Sequence, residues 1–247
     1  MQCKPIFKQE VYSWQDQRMY VKEKGIFFQS IIEWFEKNGK KYPWRNEKDS
    51  YRILIAEVML QRTKTAQVIP VYREFIKKYP DIKSASKASE KDIQKYVGKL
   101  GLFWRSKRMK QMINYIILNH NGKIPEERKQ LLKIPGVGDY IADAMTSFVF
   151  GGRRTIIDSN VVRLVSRFFG FEKKGEMRRN REFINFCQNL VSGKKHSQIR
   201  SFNWGMIDFA NEICKINPRC NECQLSLQCN YFKELKLNTD GAIETEN

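Results

Sequence analysis

Leu131–Phe169 reads LLKIPGVGDYIADAMTSFVFGGRRTIIDSNVVRLVSRFF and contains two helix starts about twenty residues apart. The first is the turn Pro135-Gly136-Val137-Gly138, which feeds an apolar-periodic segment through Ile141, Ala144, Met145 and Phe148. That spacing predicts a hairpin followed by a helix. Two glycines let the backbone approach an external group, and unpaired N–H groups at a helix start suit an anion such as a DNA phosphate. Taken alone, the same four residues also describe an ordinary turn between two helices. The second start is Asp158-Ser159-Asn160, ahead of Val161, Val162, Val165 and Phe168. Three capping residues stand where one suffices, so one is available for chemistry; as a plain N-cap, Asp158 would contribute about 0.5–2 kcal/mol.

The 247 residues are 41% hydrophobic and 29% charged, enough to bury the core of one or two closely packed domains. Lysine and arginine number 45 against 27 acids, a net charge of +18. Such a field attracts a polyanion, nucleic acid first, although a solvated basic surface has the same composition. No run approaches the ~18 apolar residues of a membrane span. The N-terminal MQCKPIFKQEVYSWQDQRMY lacks the apolar core of a secretory signal, so the expected location is intracellular, in the cytoplasm or nucleoid, with no membrane partner. Gly193-Lys194-Lys195 lacks the rest of a P-loop, and with His120 and His196 as the sole histidines a histidine-based triad is not expected.

Residues 1–25 show no clear period. From Ile26 the spacing Ile26, Phe27, Ile31, Trp34, Phe35 predicts a helix that ends at Asn38-Gly39. Tyr42-Pro43-Trp44-Arg45 reads as a turn, because Pro43 biases Tyr42 away from helix. Tyr51–Gln61 is apolar apart from Arg52, Glu57 and its terminal Gln61. A carboxylate inside such a helix acquires a raised pKa, as a general acid requires, unless it lies on an exposed side or pairs with an arginine. Ala66–Lys77, Glu90–Val97, Trp104–Leu118, Arg181–Leu190 and Gln198–Ile213 are further predicted helices, and no segment alternates like a strand. Leu102 and Phe103 lie in an apolar loop flanked by Arg105, Lys107 and Arg108, a composition suited to inserting into a base stack with phosphates held on either side, or simply to closing an interhelical loop. Cys214, Cys220, Cys223 and Cys229 follow the spacing C-x5-C-x2-C-x5-C. In an intracellular chain they argue for a metal site, either four-thiolate zinc or a [4Fe-4S] cluster. Cys187 reads as core, and the polar, acidic stretch from Asn238 as disordered.

IPGVG together with IIDSNVVRL resembles the helix-hairpin-helix (HhH-GPD) DNA glycosylases, a family that includes endonuclease III, the adenine glycosylase MutY and the mismatch thymine glycosylase MIG. The resemblance runs from about Gly25 to Phe232. It implies an all-α, two-lobed fold: a six-helix lobe over residues 43–152 carrying the hairpin, and a lobe over 153–232 with the catalytic Asp and an iron-sulfur cluster. The N-terminal segment 1–42 would pack with the cluster lobe, and 233–247 would form a disordered tail. By the same resemblance Asp158 is the catalytic carboxylate, Glu57 the proton donor, and Tyr140 occupies the place of the lysine that forms a Schiff base in endonuclease III. A phenol cannot form that imine, which implies a monofunctional glycosylase. Arg45, Gln61, Leu102, Phe103, Pro135, Gly136, Val137, Gly138 and Asn160 are the implied substrate- and DNA-binding residues, and Cys214, Cys220, Cys223 and Cys229 the ligands of a [4Fe-4S] cofactor. The implied partner is double-stranded DNA with a mismatched or damaged base, bound by a monomer. Phe202-Asn203-Trp204-Gly205-Met206-Ile207-Asp208-Phe209 is similar to a MIG run, and the chain stops soon after the cluster; both point to thymine or uracil opposite guanine. Glu57-Val58-Met59-Leu60-Gln61 is similar to MutY and keeps adenine opposite 8-oxoguanine or guanine as the alternative. A non-catalytic iron-sulfur DNA-binding module is the reading from another class.

Overall fold

A computed structural model describes residues 14–101, 103–172 and 175–243, with side chains placed from 21 to 237 within those limits. It is 69% helix, and no strand occurs among the described residues, in line with the all-α expectation. The helices are α1 (Trp14–Asn38), α2 (Ser50–Leu60), α3 (Thr65–Lys78), α4 (Ile82–Ser86), α5 (Glu90–Val97) and α6 (Trp104–His120). They continue as α7 (Arg128–Leu131), α8 (Asp139–Phe148), α9 (Ser159–Phe169), α10 (Arg181–Asn189), α11 (His196–Glu212) and α12 (Asn230–Ile243). The chain divides into two compact units: Lys40–Ile156 forms one, and the residues up to Gly39 together with those from Ile157 onward form the other.

In the Lys40–Ile156 unit, α2 is the hub. Asp49 caps it by accepting from the Arg52 N–H at 3.0 Å. Ile53, Leu54, Ile55, Ala56, Val58 and Met59 are all buried, a nearly all-round apolar helix wrapped by its neighbours. Around it, α4 and α5 begin with reciprocal capping boxes, Asp81 with Ser84 and Ser89 with Asp92.

The other unit is organised on α1, α9 and α11. Phe27 of α1 meets Phe168, Phe169 and Phe202 with ring centroids 4.9, 5.2 and 5.9 Å apart. Each such ring contributes about 2–3 kcal/mol of burial. Gly205 lets α1 approach α11 closely, since a Cβ there would fall 2.8 Å from Ile31 Cγ2 and 2.9 Å from the Ile31 carbonyl.

Two expectations need correction. α1 begins at Trp14, well before Ile26; its first turns mix charges and aromatics without a periodic stripe, so periodicity could not reveal them. The stretch from 233 onward is helical as far as Ile243 rather than an irregular tail. α12 grows directly out of the last cysteine, with Lys233 N–H donating to the Cys229 carbonyl at 3.0 Å, and Tyr231 lies under the Arg167 guanidinium at 4.5 Å. Residues 244–247 and Cys3 lie outside the described residues.

Candidate active site

Glu57 sits on the buried hub helix and is 4% exposed. Its Oε2 has no hydrogen-bond partner, while the Tyr140 hydroxyl donates to the carboxylate. Burial pushes the pKa up to about 7, and the Arg45 charge and the Tyr140 hydrogen bond oppose part of that rise. The group therefore holds a proton or a charge with nearly equal ease at neutral pH, the condition under which an acid transfers protons most effectively. The turn at Tyr42–Arg45 places the opposing cation. Arg45 Nη1 donates to the Lys40 carbonyl at 2.8 Å, and the guanidinium lies 4.7 Å over the Tyr42 ring. Tyr42 in turn stacks on Trp44, which packs edge-on against Tyr72.

The hairpin forms in the same unit. Gly136 has φ +85°, which explains the glycine there, and Gly138 begins α8 with open space where a methyl would project. Gln61, just past α2, donates Nε2 to the Gly136 carbonyl at 3.4 Å. Arg128 of α7 bonds Asp139 at 2.5 Å and the buried Asp143 at 2.7 Å, and Arg154 reaches Asp143 at 2.9 Å. This charged clamp joins the helices on either side of the hairpin. No local signal marks it in the sequence, because its members meet only once α7 and α8 are folded together.

Phe103 and Trp104 are 64% and 44% exposed, as an inserting loop requires, whereas Leu102 lies outside the described residues. Arg105 corrects the expectation that it flanks this loop as a phosphate holder. It is 1% exposed, and its Nη1 donates to the Met59 carbonyl at 2.9 Å near the end of α2. A cation there complements the partial negative charge of the helix C-terminus. Arg108 stays exposed, over the Trp104 ring at 4.9 Å.

In the other unit, Asp158 is the N-cap of α9. Its Oδ1 accepts from the Asn160 and Val161 N–H groups at 2.9 and 2.7 Å, and its Oδ2 from Asn160 Nδ2 at 3.0 Å. Capping and a fixed carboxylate thus coexist in one residue, with Asn160 setting its orientation. Farther along α9, Arg163 donates to the Cys214 and Ala210 carbonyls, both at 2.8 Å. Arg167 donates to the Lys215 and Ile216 carbonyls and lies 3.6 Å from Cys214 Sγ. Arg163 lies within the IIDSNVVRL run that carries the resemblance, and Arg167 follows it four residues on along the same helix.

Cys214, Cys220, Cys223 and Cys229 are free thiols. Burial chiefly, and then the nearby thiols of the same set, raise Cys220, Cys229 and Cys223, the last to about 12. Four mutually influencing thiols close to a guanidinium form a donor set that a cationic centre would satisfy. Cys187 is buried in the core, and burial pushes its thiol upward, as expected for an inert side chain.

The family model described as "HhH-GPD superfamily base excision DNA repair protein" matches residues 55–189. A thymine/uracil-DNA glycosylase from Methanothermobacter thermautotrophicus is 31% identical over 86% of this chain and 96% of its own length. An adenine DNA glycosylase from Buchnera aphidicola subsp. Baizongia pistaciae is 31% identical over 86% of this chain and 60% of its own. Among solved structures, a thermostable thymine-DNA glycosylase superposes with a TM-score of 0.82 at 30% identity, covering 87% of this chain and 99% of the other.

Proposed function

The chain belongs to the HhH-GPD superfamily of base excision DNA repair proteins and is a base excision repair DNA glycosylase, and within that family we propose a monofunctional enzyme that removes thymine or uracil opposite guanine. The observation that carries the chemistry is Glu57: a buried carboxylate balanced near pH 7, with a phenol as its hydrogen-bond partner where a lyase would place an amine. The named thymine/uracil glycosylase relative, the solved thymine-DNA glycosylase and the run Phe202–Phe209 support the choice of base. The adenine glycosylase relative and Glu57-Val58-Met59-Leu60-Gln61 support the alternative.

Hydrolysis replaces the base at C1′ with the oxygen of water, and the electron pair of the broken C–N bond leaves with the base. Positive charge develops on the sugar, where the oriented Asp158 carboxylate stabilises it electrostatically. Negative charge develops on the base, and Glu57 meets it with a proton or a hydrogen bond, with Arg45 and Gln61 as candidate base contacts. Tyr140 cannot attack the sugar as an amine, so the reaction stops at the abasic site. We assign Cys214, Cys220, Cys223 and Cys229 as ligands of a [4Fe-4S] cluster. The four thiols, mutually influencing and with Cys214 in contact with Arg167, are a donor set of the type such a cluster takes, which supports this assignment. When bound, the cluster supplies a covalent cross-link between the segment after α11 and the start of α12. Incubation with duplexes carrying G·T, G·U, A·8-oxoG and A·G tests the assignment. Release of thymine and uracil with an intact abasic strand is expected; release of adenine alone would transfer the protein to the alternative.

A further inference from the structure

The turn Met177–Arg179, between α9 and α10, packs against the helix that Asp158 caps and carries Arg178. Met177 is buried in the core of its unit, and the turn packs against α9. Asn180 then caps α10 by accepting from the Phe183 N–H at 2.9 Å, so the turn is held at Met177 and at Asn180. Arg178 projects outward from it. Its Nε and Nη2 donate to Glu176 Oε1 and Oε2 at 2.9 and 2.6 Å, a two-pronged pair that is about half exposed on both sides. The turn packs on α9, whose N-cap is Asp158, and the Asp158 charge also favours the cationic guanidinium, more weakly than Glu176 does.

A carboxylate that acts on C1′ of a nucleotide must approach a sugar that carries phosphate diesters. Two anions then come together, and a cation is needed to offset their repulsion. A guanidinium fork fits phosphate as well as it fits a carboxylate. An exposed pair such as Glu176–Arg178 adds little to folding stability, so exchanging one partner for the other is inexpensive. Arg179 and Arg181 are also exposed and reinforce the positive field. We propose that Arg178 binds a DNA backbone phosphate beside Asp158, and that Glu176 holds its guanidinium in the free protein and is displaced when DNA binds. The proposal rests on Asp158 acting at the sugar.

Titrations of the full-length protein would use two duplexes, one with 2′-fluoro-2′-deoxyuridine opposite guanine, which resists hydrolysis, and one fully matched. Arg178→Gln is expected to weaken binding roughly five- to tenfold and to lower the slope of log affinity against log salt by about one. Arg178→Lys, which keeps the charge but lacks the fork, should recover the slope and only part of the affinity. Glu176→Gln should tighten binding a few-fold, because the fork no longer has to be released. In the Arg178→Gln background the same change should do nothing. The proposal is overturned if Glu176→Gln tightens binding equally in both backgrounds, which marks a general charge effect, or if it weakens binding, which marks a structural pair. An unchanged salt slope in Arg178→Gln overturns it as well. Wild-type preference for the fluorouridine duplex over the matched one tests the choice of base separately, and without that preference the Arg178–Glu176 cycle is still decided on the matched duplex.

Discussion

Glu57→Gln offers a direct measure of how strongly the fold opposes a charge at this position. Burial raises the carboxyl from 4.5 to about 7. At about 1.4 kcal/mol per pKa unit, that rise corresponds to roughly 3 kcal/mol. The sign follows from proton linkage: the folded state retains the proton more tightly, so the stabilisation is fully present below pH 4.5 and is lost as pH rises through 7. Glutamine has no such titration. Its amide nitrogen faces the position of the unbonded Oε2, a penalty that does not vary with pH, so the informative quantity is the change with pH rather than the absolute difference. Urea unfolding of both proteins at pH 5, 6, 7 and 8.5 should show the variant gaining about 2–3 kcal/mol on the wild type across that range. Curves that stay parallel within about 0.5 kcal/mol would show that Glu57 titrates like an exposed carboxylate, and its role as proton donor would fall with that result. In kinetics, wild-type base release should decline above about pH 7 as Glu57 loses its proton, and the variant should be slow without that alkaline limb.

Asp158→Asn should stop base release while substrate affinity changes little. The amide oxygen keeps the cap to the Asn160 and Val161 N–H groups, so unfolding should shift by less than about 1 kcal/mol, and near-normal turnover would reduce Asp158 to a cap. Tyr140→Lys places an amine next to Glu57, and gain of strand cleavage with borohydride trapping on DNA is expected; efficient trapping of the wild type would refute monofunctionality. Gly138→Ala should weaken binding to all duplexes alike without altering stability, since a methyl meets nothing within 4 Å in the protein. Gly136→Ala should instead lower stability by about 1–2 kcal/mol, because its φ of +85° disfavours a side chain, and equal unfolding curves for the two variants would contradict the hairpin geometry. The purified protein should be brown with iron near four per chain, estimated as about four from the ligand set of a [4Fe-4S] centre, and Cys220→Ser should bleach it; a colourless protein with one zinc would overturn the cluster assignment.

The periodic apolar runs identified most helices because burial in a helix imposes a period that a single sequence displays. α2 stood out as hydrophobic almost all round, and Glu57 within it as an anomaly, which is a statement about solvation that needs no coordinates. Capping residues at Asp158 and glycines at the hairpin were legible for the same reason: they satisfy the backbone of their own segment. Other features were invisible to periodicity. The first turns of α1 and the whole of α12 carry weak stripes along the sequence.

From sequence alone, Asp158 stood out as a surplus capping residue and Glu57 as a carboxylate in an apolar helix, whereas Tyr140 was named only through the family resemblance. The tertiary structure supplied the interactions among groups far apart in the chain. It placed the Tyr140 hydroxyl on Glu57, set Arg45 against the same carboxylate, and buried Arg105 behind α2 instead of leaving it on the surface. It also brought Arg163 and Arg167 to the carbonyls of the cysteine loop, and the Met177–Arg179 turn onto α9. The physical reason is one of range. Helix propensity, capping and turn chemistry act over a few residues and can be read along the chain, whereas desolvation and charge pairing depend on distances in space that only the folded packing defines.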